Sequence, residues 1–393
     1  MAALPAVADA VTARTWAEVD LGAIAANVRA LRARLPGTTD ILMTVKADAY
    51  GHGLVPVARA ARAAGIWGLG VATLDEAAAL RAAEVAGPIV CLMPVLPVEA
   101  PRAVALDVTL AISAWSQAEA LAAAARAAGR DLPVHLDVDT GMNRSGMRDG
   151  DAVEEIARIA KLPGLILDGM FTHFASSDAS DRATTDRQIE RFDAVLAELS
   201  ARDIRPPRVH AANSAGALRF PRAARALVRP GIALYGAPGE IAPDAEGGPW
   251  ASAGPEFRPA LSWHARVLAV KELAAGDAVS YHGRYVARGA ERVALLGVGY
   301  GDGWPYGLSD RGQVLLRGRP AAIRGAVCMD LTMVDATAYP DLSAGEIATL
   351  IGRQQDSAQG VEAVGQAAGL MSYAVLTGIT ARVHRRYLEV PSE

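Results

Sequence analysis

At 393 residues, 51% of them apolar, the chain is long enough to bury a large interior and points to two domains or to one barrel with an appendage. A net charge of -4 gives no broad basic field, which argues against nucleic acid as the main partner and leaves room only for a small local anion site. Apolar runs break well short of the roughly 18 residues a membrane span needs. The two cysteines, Cys91 and Cys328, lack metal-type spacing and suit a reducing, cytoplasmic compartment.

The opening MAALPAVADAVTA has no Lys or Arg before Arg14 and is interrupted by Pro5 and Asp9, so it reads as a frayed leader and not as a secretory signal. From Asp40 to about Gly236, short apolar runs alternate with Ala-rich helical stretches. Strands are predicted at Ile41 to Lys46, Gly68 to Ala72, Ile89 to Met93, Val108 to Ser113, Val134 to Asp137, Leu167 to Phe174, Arg208 to Ala211 and Leu227 to Tyr235. Helices are predicted after Thr73, after Ser116 and over Thr184 to Leu199. Eight strand-helix units make an α/β fold with a (β/α)8 TIM barrel over residues 1–246, a doubly wound sheet being the alternative. The Gly/Pro-rich stretch GGPWASAGPEFRP then opens a mainly β domain over residues 247–393. Its clearest strands are LSWHARVLAVKEL, RVALLGVGY, GQVLLRGRPAAIRGAVCMDLTMVDA and GEIATLIG, with one helix near Val361 to Gly369.

The most informative segment is VKADAYGHG, in which an apolar strand ends in Lys46 and runs into a glycine-containing turn. Barrels carry their chemistry at strand C-terminal ends, where partial desolvation lowers a lysine pKa and frees a neutral amine. On position alone a solvated lysine is the commoner case. The fifth strand feeds the loop Asp137 to Gly146, with two acids, Arg144 and flexible glycines, which reads equally as a ligand loop or a salt-bridged one. The sixth strand delivers His173 near its end, Ser214 follows the seventh, and the eighth gives Arg229, Gly231 and Ile232, where backbone N–H groups beside glycine can cradle a phosphate. A buried structural role is the commoner fate of such a histidine. In the β domain, Tyr281 in VSYHG, Tyr300 in GYGDGW and Met329 in CMD sit on loop-like tips, where an aromatic filler is the ordinary reading of Tyr281.

Together, and in this order from about Trp16 to Tyr387, these motifs resemble the alanine racemase family, a group of pyridoxal-phosphate enzymes. The resemblance implies that Lys46 covalently holds pyridoxal 5'-phosphate and that Tyr281 is the second proton-transfer base. It implies that Tyr50, Ser214, Gly231, Ile232 and Tyr373 bind the phosphate, Arg229 faces the pyridine nitrogen, His173 lies by the ring and Arg144 meets the phenolic oxygen. Arg144, Met329 and Tyr300 match substrate positions, and no metal is implied. The expected reaction interconverts L- and D-alanine, supplying D-alanine for peptidoglycan, in a homodimer with shared sites and without membrane or nucleic-acid partners. Where many family members carry a carbamylated lysine, this chain has Asp137, which is expected to pair with Arg144, directly or, its side chain being shorter, through a water or ion, and to make a carbamate unnecessary. Ser145 replaces a bulkier apolar residue, with no consequence evident from the sequence. Three other readings compete: a decarboxylase on the same plan, disfavoured by Arg229; a barrel-only cofactor carrier, disfavoured by the β domain; and an amino-acid racemase of broader specificity.

Overall fold

The computed structural model describes residues 12–237 and 257–388. Residues 1–11 of the predicted leader and the domain boundary between residues 246 and 247 lie outside them. The described residues cluster as two units, one drawn from 24–49 and 54–258, the other from residues up to 23, 50–53 and from 259 onward.

The strand β1 (Thr15–Asp20) belongs to the second unit; the first is a barrel built on β2 (Asp40–Thr44), β3 (Gly68–Val71), β4 (Ile89–Cys91), β5 (Thr109–Ile112) and β6 (Leu132–Asp139). A two-residue strand, β7 (Met147–Arg148), pairs with β6 outside the ring, which continues through β8 (Leu165–Phe171), β9 (Arg208–His210) and β10 (Leu227–Val228). Every neighbour in the ring pairs in parallel, and β10 returns to β2 with Leu227 opposite Asp40 and Val228 opposite Ile41. All eight expected barrel strands therefore form a closed parallel barrel. Their continuous apolar runs have this cause: both faces of such a strand are covered, and Ile41, Leu42 and Met43 are fully buried.

Two expectations within the barrel need correction. The eighth strand stops at Val228 instead of running to Tyr235, because Pro230 has no N–H for the ladder and Ile232–Tyr235 wind into a short 3₁₀ turn. The Tyr235 hydroxyl then donates back to the Thr44 carbonyl at 3.0 Å. The helix Trp115–Ala127 starts ahead of Ser116, since its first amide, Trp115 N–H, is satisfied by Glu155 Oε1 at 2.8 Å and not by a local cap. The helix Leu74–Ala82 starts where expected, with Thr73 closing a capping box with Glu76.

In the second unit β11 (Leu261–Leu273) is the central strand. It continues through β12 (Ala278–Val279), β13 (Tyr285–Val286), β14 (Glu291–Leu296), β15 (Gln313–Leu316), β16 (Arg319–Ala322), β17 (Thr332–Asp335), β18 (Ile347–Gln354), β19 (Ser357–Gln359) and β20 (His384–Leu388). β11 pairs antiparallel with β1, β14 and β18, while β1 also pairs in parallel with β20, tying chain beginning to chain end. Trp263 and Trp304, both fully buried, meet edge to face at 5.6 Å, and the Trp263 indole donates to Thr15 Oγ1 at 2.8 Å. Fully buried Asp302 is held by Arg14 through two hydrogen bonds of 2.6 and 3.0 Å and by the Gly299 amide at 3.0 Å. The helix expected near Val361 to Gly369 spans Val361–Ala368.

Candidate active site

Lys46 leaves the barrel wall just past the end of β2. The chain behind it takes a left-handed turn: Ala47, Asp48, Ala49 and Tyr50 have φ of 53°, 53°, 53° and 54°. Left-handed backbone costs about 1–2 kcal/mol per L-residue, so this turn is held by its surroundings. Ala47 N–H donates to Glu76 Oε1 at 2.6 Å, and Asp48 Oδ1 accepts the Leu54 amide at 2.7 Å. Burial pushes the Lys46 amine below its ordinary pKa; Arg144 and Arg229 push the same way and Glu76 opposes them. The strand-end lysine is thus a half-buried amine that holds its proton less tightly than an exposed lysine does.

Arg229, buried in the barrel, supplies the donors that organise the interior. Its Nη2 donates to the carbonyls of Thr172 at 2.7 Å and Ala211 at 3.1 Å and to His173 Nδ1 at 3.1 Å; its Nη1 donates to His210 Nδ1 at 2.7 Å. A guanidinium only donates, so the histidine tautomers follow in sequence. His210 accepts at Nδ1 and passes Nε2–H to His135 Nδ1 at 2.8 Å, and His135 passes Nε2–H to Asp168 Oδ2 at 3.1 Å. Asp168 is closed on its other oxygen by Arg208. Gly169 is required beside this chain, since a Cβ there would stand 2.6 Å from the His135 ring. Burial, reinforced by Arg229, pushes His173 down to about 3 and His210 well below its ordinary value; burial also lowers His135. The hydrogen bond from His135 keeps Asp168 low, and burial brings Arg229 to about 10, still cationic at neutral pH.

The sign of the resulting pH dependence is fixed. Folding lowers the pKa of both His135 and His210, whereas the unfolded chain protonates them below about pH 6.5, so the unfolded state binds more protons as pH falls. Each then removes at most about 1.4 kcal/mol of stability per pH unit in that range. Thermal melts should be level above about pH 7 and fall steadily from about pH 6.5 toward 5. A melting temperature unchanged down to pH 5 would contradict the neutral relay.

Asp137 makes no direct pair with Arg144. Its buried carboxylate accepts from Ser145 Oγ at 2.8 Å and Ser113 Oγ at 3.2 Å, while Arg144 is exposed on the loop beyond. Both hydroxyls meet the same carboxylate oxygen, Oδ2. Ser145, unassigned from sequence, is therefore the residue that anchors Asp137. Burial raises the Asp137 pKa against the Ser145 hydrogen bond and the charge of Arg229. At the end of the barrel, Ser214 Oγ accepts the amides of Gly231 at 2.9 Å and Ala233 at 3.3 Å, leaving its own proton to donate; Ile232 is buried beside it. Arg144 and Arg229 lie near enough to lower the Lys46 pKa, and Arg229, Arg144 and Lys46 near enough to lower that of His173.

The remaining predicted residues lie in the second unit. The Tyr50 and Tyr373 rings pack with centroids 5.9 Å apart. Ser280 Oγ donates to the Ala326 carbonyl at 2.9 Å, and Tyr300 N–H and Gly301 N–H donate to the carbonyls of Cys328 and Met329 at 2.9 and 2.8 Å. These bonds tie three loops together and carry Tyr281, Tyr300 and Met329. Tyr281 is 68% exposed, so it is no core filler. Among the described residues there is no group of side chains arranged to hold a metal ion, and no helix long and apolar enough to cross a membrane.

Residues 19–238 match the family model described as alanine racemase, N-terminal domain, and residues 260–387 match that of the C-terminal domain. The chain belongs to the alanine racemase family. An alanine racemase of Symbiobacterium thermophilum is 40% identical over 373 residues, covering 95% of this chain and 97% of the relative. The crystal structure of the alanine racemase of Streptomyces coelicolor A3(2) aligns with a TM-score of 0.88 at 37% identity, over 96% of this chain and 99% of the other. That of Bartonella henselae, solved with covalently bound pyridoxal phosphate, aligns with a TM-score of 0.84 at 27% identity, over 96% and 100%. The barrel and β domain expected from sequence are thus those of alanine racemases.

Sequence reasoning missed four residues around this alanine racemase site: Glu76, His135, Asp168 and His210. The Thr73-x-x-Glu76 spacing signals a helix start but not the second contact of Glu76. His135 and His210 sit in apolar strands, and their partnership spans 75 residues.

Proposed function

We propose that this member of the alanine racemase family interconverts L- and D-alanine with pyridoxal phosphate held on Lys46, and that Lys46 Nζ and Tyr281 Oη are its two proton-transfer groups. The observation that carries this reading is the half-buried, pKa-lowered Lys46 amine at a barrel strand end, electrostatically coupled to Arg229. The residues present fit the cofactor. Two guanidinium groups, Arg144 and Arg229, lower the Lys46 pKa, an excess of positive charge that an anionic ligand relieves, and Ser214 keeps a hydroxyl proton for a phosphate oxygen. Lys46 would hold the group covalently, Ser214, Gly231 and Ile232 its phosphate, Arg229 its ring nitrogen, His173 its ring and Arg144 its phenolic oxygen. The resemblance extends the phosphate set to Tyr50 and Tyr373.

When bound, pyridoxal phosphate acidifies the Cα–H of the attached amino acid by drawing electrons into its ring. The chain's residues supply geometry and protons. Inversion at Cα needs a proton removed from one face and another delivered to the opposite face, which two bases accomplish: Lys46 Nζ on one side and Tyr281 Oη on the other. Arg229 is kept cationic and donor-only by His210, His173 and two carbonyls, so it offers the ring nitrogen no proton to gain. That limits electron withdrawal and favours return of the proton to Cα over side reactions. Arg144, Tyr300 and Met329 take the substrate roles. We further propose a cytoplasmic homodimer in which each site receives its tyrosine from the neighbouring copy, with D-alanine used for peptidoglycan; the exposure of Tyr281 supports this. Purified with pyridoxal phosphate, the chain should bring either alanine enantiomer to an equal mixture, and do so faster than with serine. Unchanged optical rotation with alanine would defeat the proposal, and equal rates with serine would replace it by a broader specificity.

A further inference from the structure

Glu76 has an ordinary structural task and a second contact that this task does not need. Within the capping box, its amide donates to Thr73 Oγ1 at 3.2 Å, and its Oε2 accepts the amides of Ala72 at 2.8 Å and Thr73 at 3.3 Å. Its Oε1 is turned instead to Ala47 N–H at 2.6 Å, the amide that follows Lys46 and opens the left-handed turn. From Ala47 to Tyr50 that turn consists of residues with a Cβ, for which this conformation is unfavourable, so an external restraint must hold it.

We infer that Glu76 is a positioning residue for Lys46: its carboxylate latches the left-handed turn at the Ala47 amide and so fixes the direction in which the lysine side chain leaves β2. This rests on the reading of Lys46 given above and adds the device that aims it. A carboxylate suits the task because both ends must accept: one end takes the Ala72 and Thr73 amides while the other takes Ala47. Glutamine has the same length but one accepting end, so Glu76→Gln must turn an N–H toward an amide at one of the two contacts. Glu76 is also the negative group that opposes burial, Arg144 and Arg229 at the Lys46 amine.

The test compares wild type, Glu76→Gln and Thr73→Ala as holoenzymes purified with pyridoxal phosphate, reading kcat and KM for alanine, the circular dichroism of the bound cofactor and the melting temperature. Thr73→Ala removes the cap without touching the latch, so it should lower the melting temperature and leave kcat and the cofactor signal at wild-type values. Glu76→Gln should lower kcat about 10- to 100-fold, the scale of a misplaced reacting group, with KM little changed and the cofactor signal altered. A Glu76→Gln enzyme that loses only melting temperature, as Thr73→Ala does, overturns the inference. Should Glu76→Gln not fold, hydrogen exchange on the wild-type holoenzyme decides: the Ala47 amide is expected to be protected, and exchange at the rate of a free loop amide overturns the latch. A wild-type enzyme that takes up no cofactor at Lys46 overturns the reading of Lys46 and the latch with it, a result distinct from a silent Glu76→Gln.

Discussion

Lys46→Ala is expected to lower racemisation of alanine by more than about 10⁴-fold, because it removes a proton-transfer group, worth about 10²–10⁴ alone, together with the covalent anchor of the cofactor. The measurement is polarimetry from either enantiomer alongside the absorbance of the lysine-bound cofactor, which should vanish. The fold should survive, since Lys46 is only half-buried and its side chain makes no hydrogen bond or ion pair among the described residues. A variant that retains a tenth of the wild-type rate would remove Lys46 from the chemistry.

Tyr281→Phe should give the complementary result. The ring is kept, the side chain is 68% exposed, and the change in stability should stay within about 0.5 kcal/mol, the range of surface substitutions. The cofactor should load normally while kcat falls about 10²–10⁴-fold, the loss expected when one general acid–base group is removed. Loss of cofactor binding instead would make Tyr281 a binding residue. Together the two variants separate anchoring from proton transfer: Lys46→Ala loses both, Tyr281→Phe only one.

The barrel was legible because its strands are buried on both faces and therefore spell continuous apolar runs, each followed by a helix with recognisable formers. β11 was legible for a different reason: its 13 residues alternate buried and half-buried over much of their length. β1 was not, because TWAEVD is short, carries two acids and runs directly into a helix; what makes it a strand is its pairing with β11 and β20, far away in the chain. β20 and the helix Ser372–Gly378 went unread on the same grounds. Partners that are distant in sequence leave little local trace.

The site divides in the same manner. Candidates at strand ends, Lys46, His173, Ser214 and Arg229, could be named because a barrel puts its chemistry there. Their tautomers and charges could not, since these depend on which side chains meet inside: Arg229 sets His210, His210 sets His135, and His135 ends on Asp168. The same limit explains Asp137, for which composition suggested the nearby arginine and geometry supplied two serines. The left-handed turn after Lys46 is the extreme case. Ala, Asp and Ala give little signal for positive φ, and only Gly51 and Gly53 beyond them hint that the backbone turns there.

The central claim is that two groups of the enzyme move protons on opposite faces of Cα, and the isotope content of the first product tests it most directly. L-Alanine is incubated with the holoenzyme in deuterium oxide, the reaction is stopped early, and the D-alanine formed is analysed for deuterium at Cα. The two-base account predicts that the D-alanine carries solvent deuterium from the first turnovers, because the proton delivered is not the one removed. D-Alanine that retains the original protium at Cα would mean that a single group carries it from one face to the other, and would contradict the account.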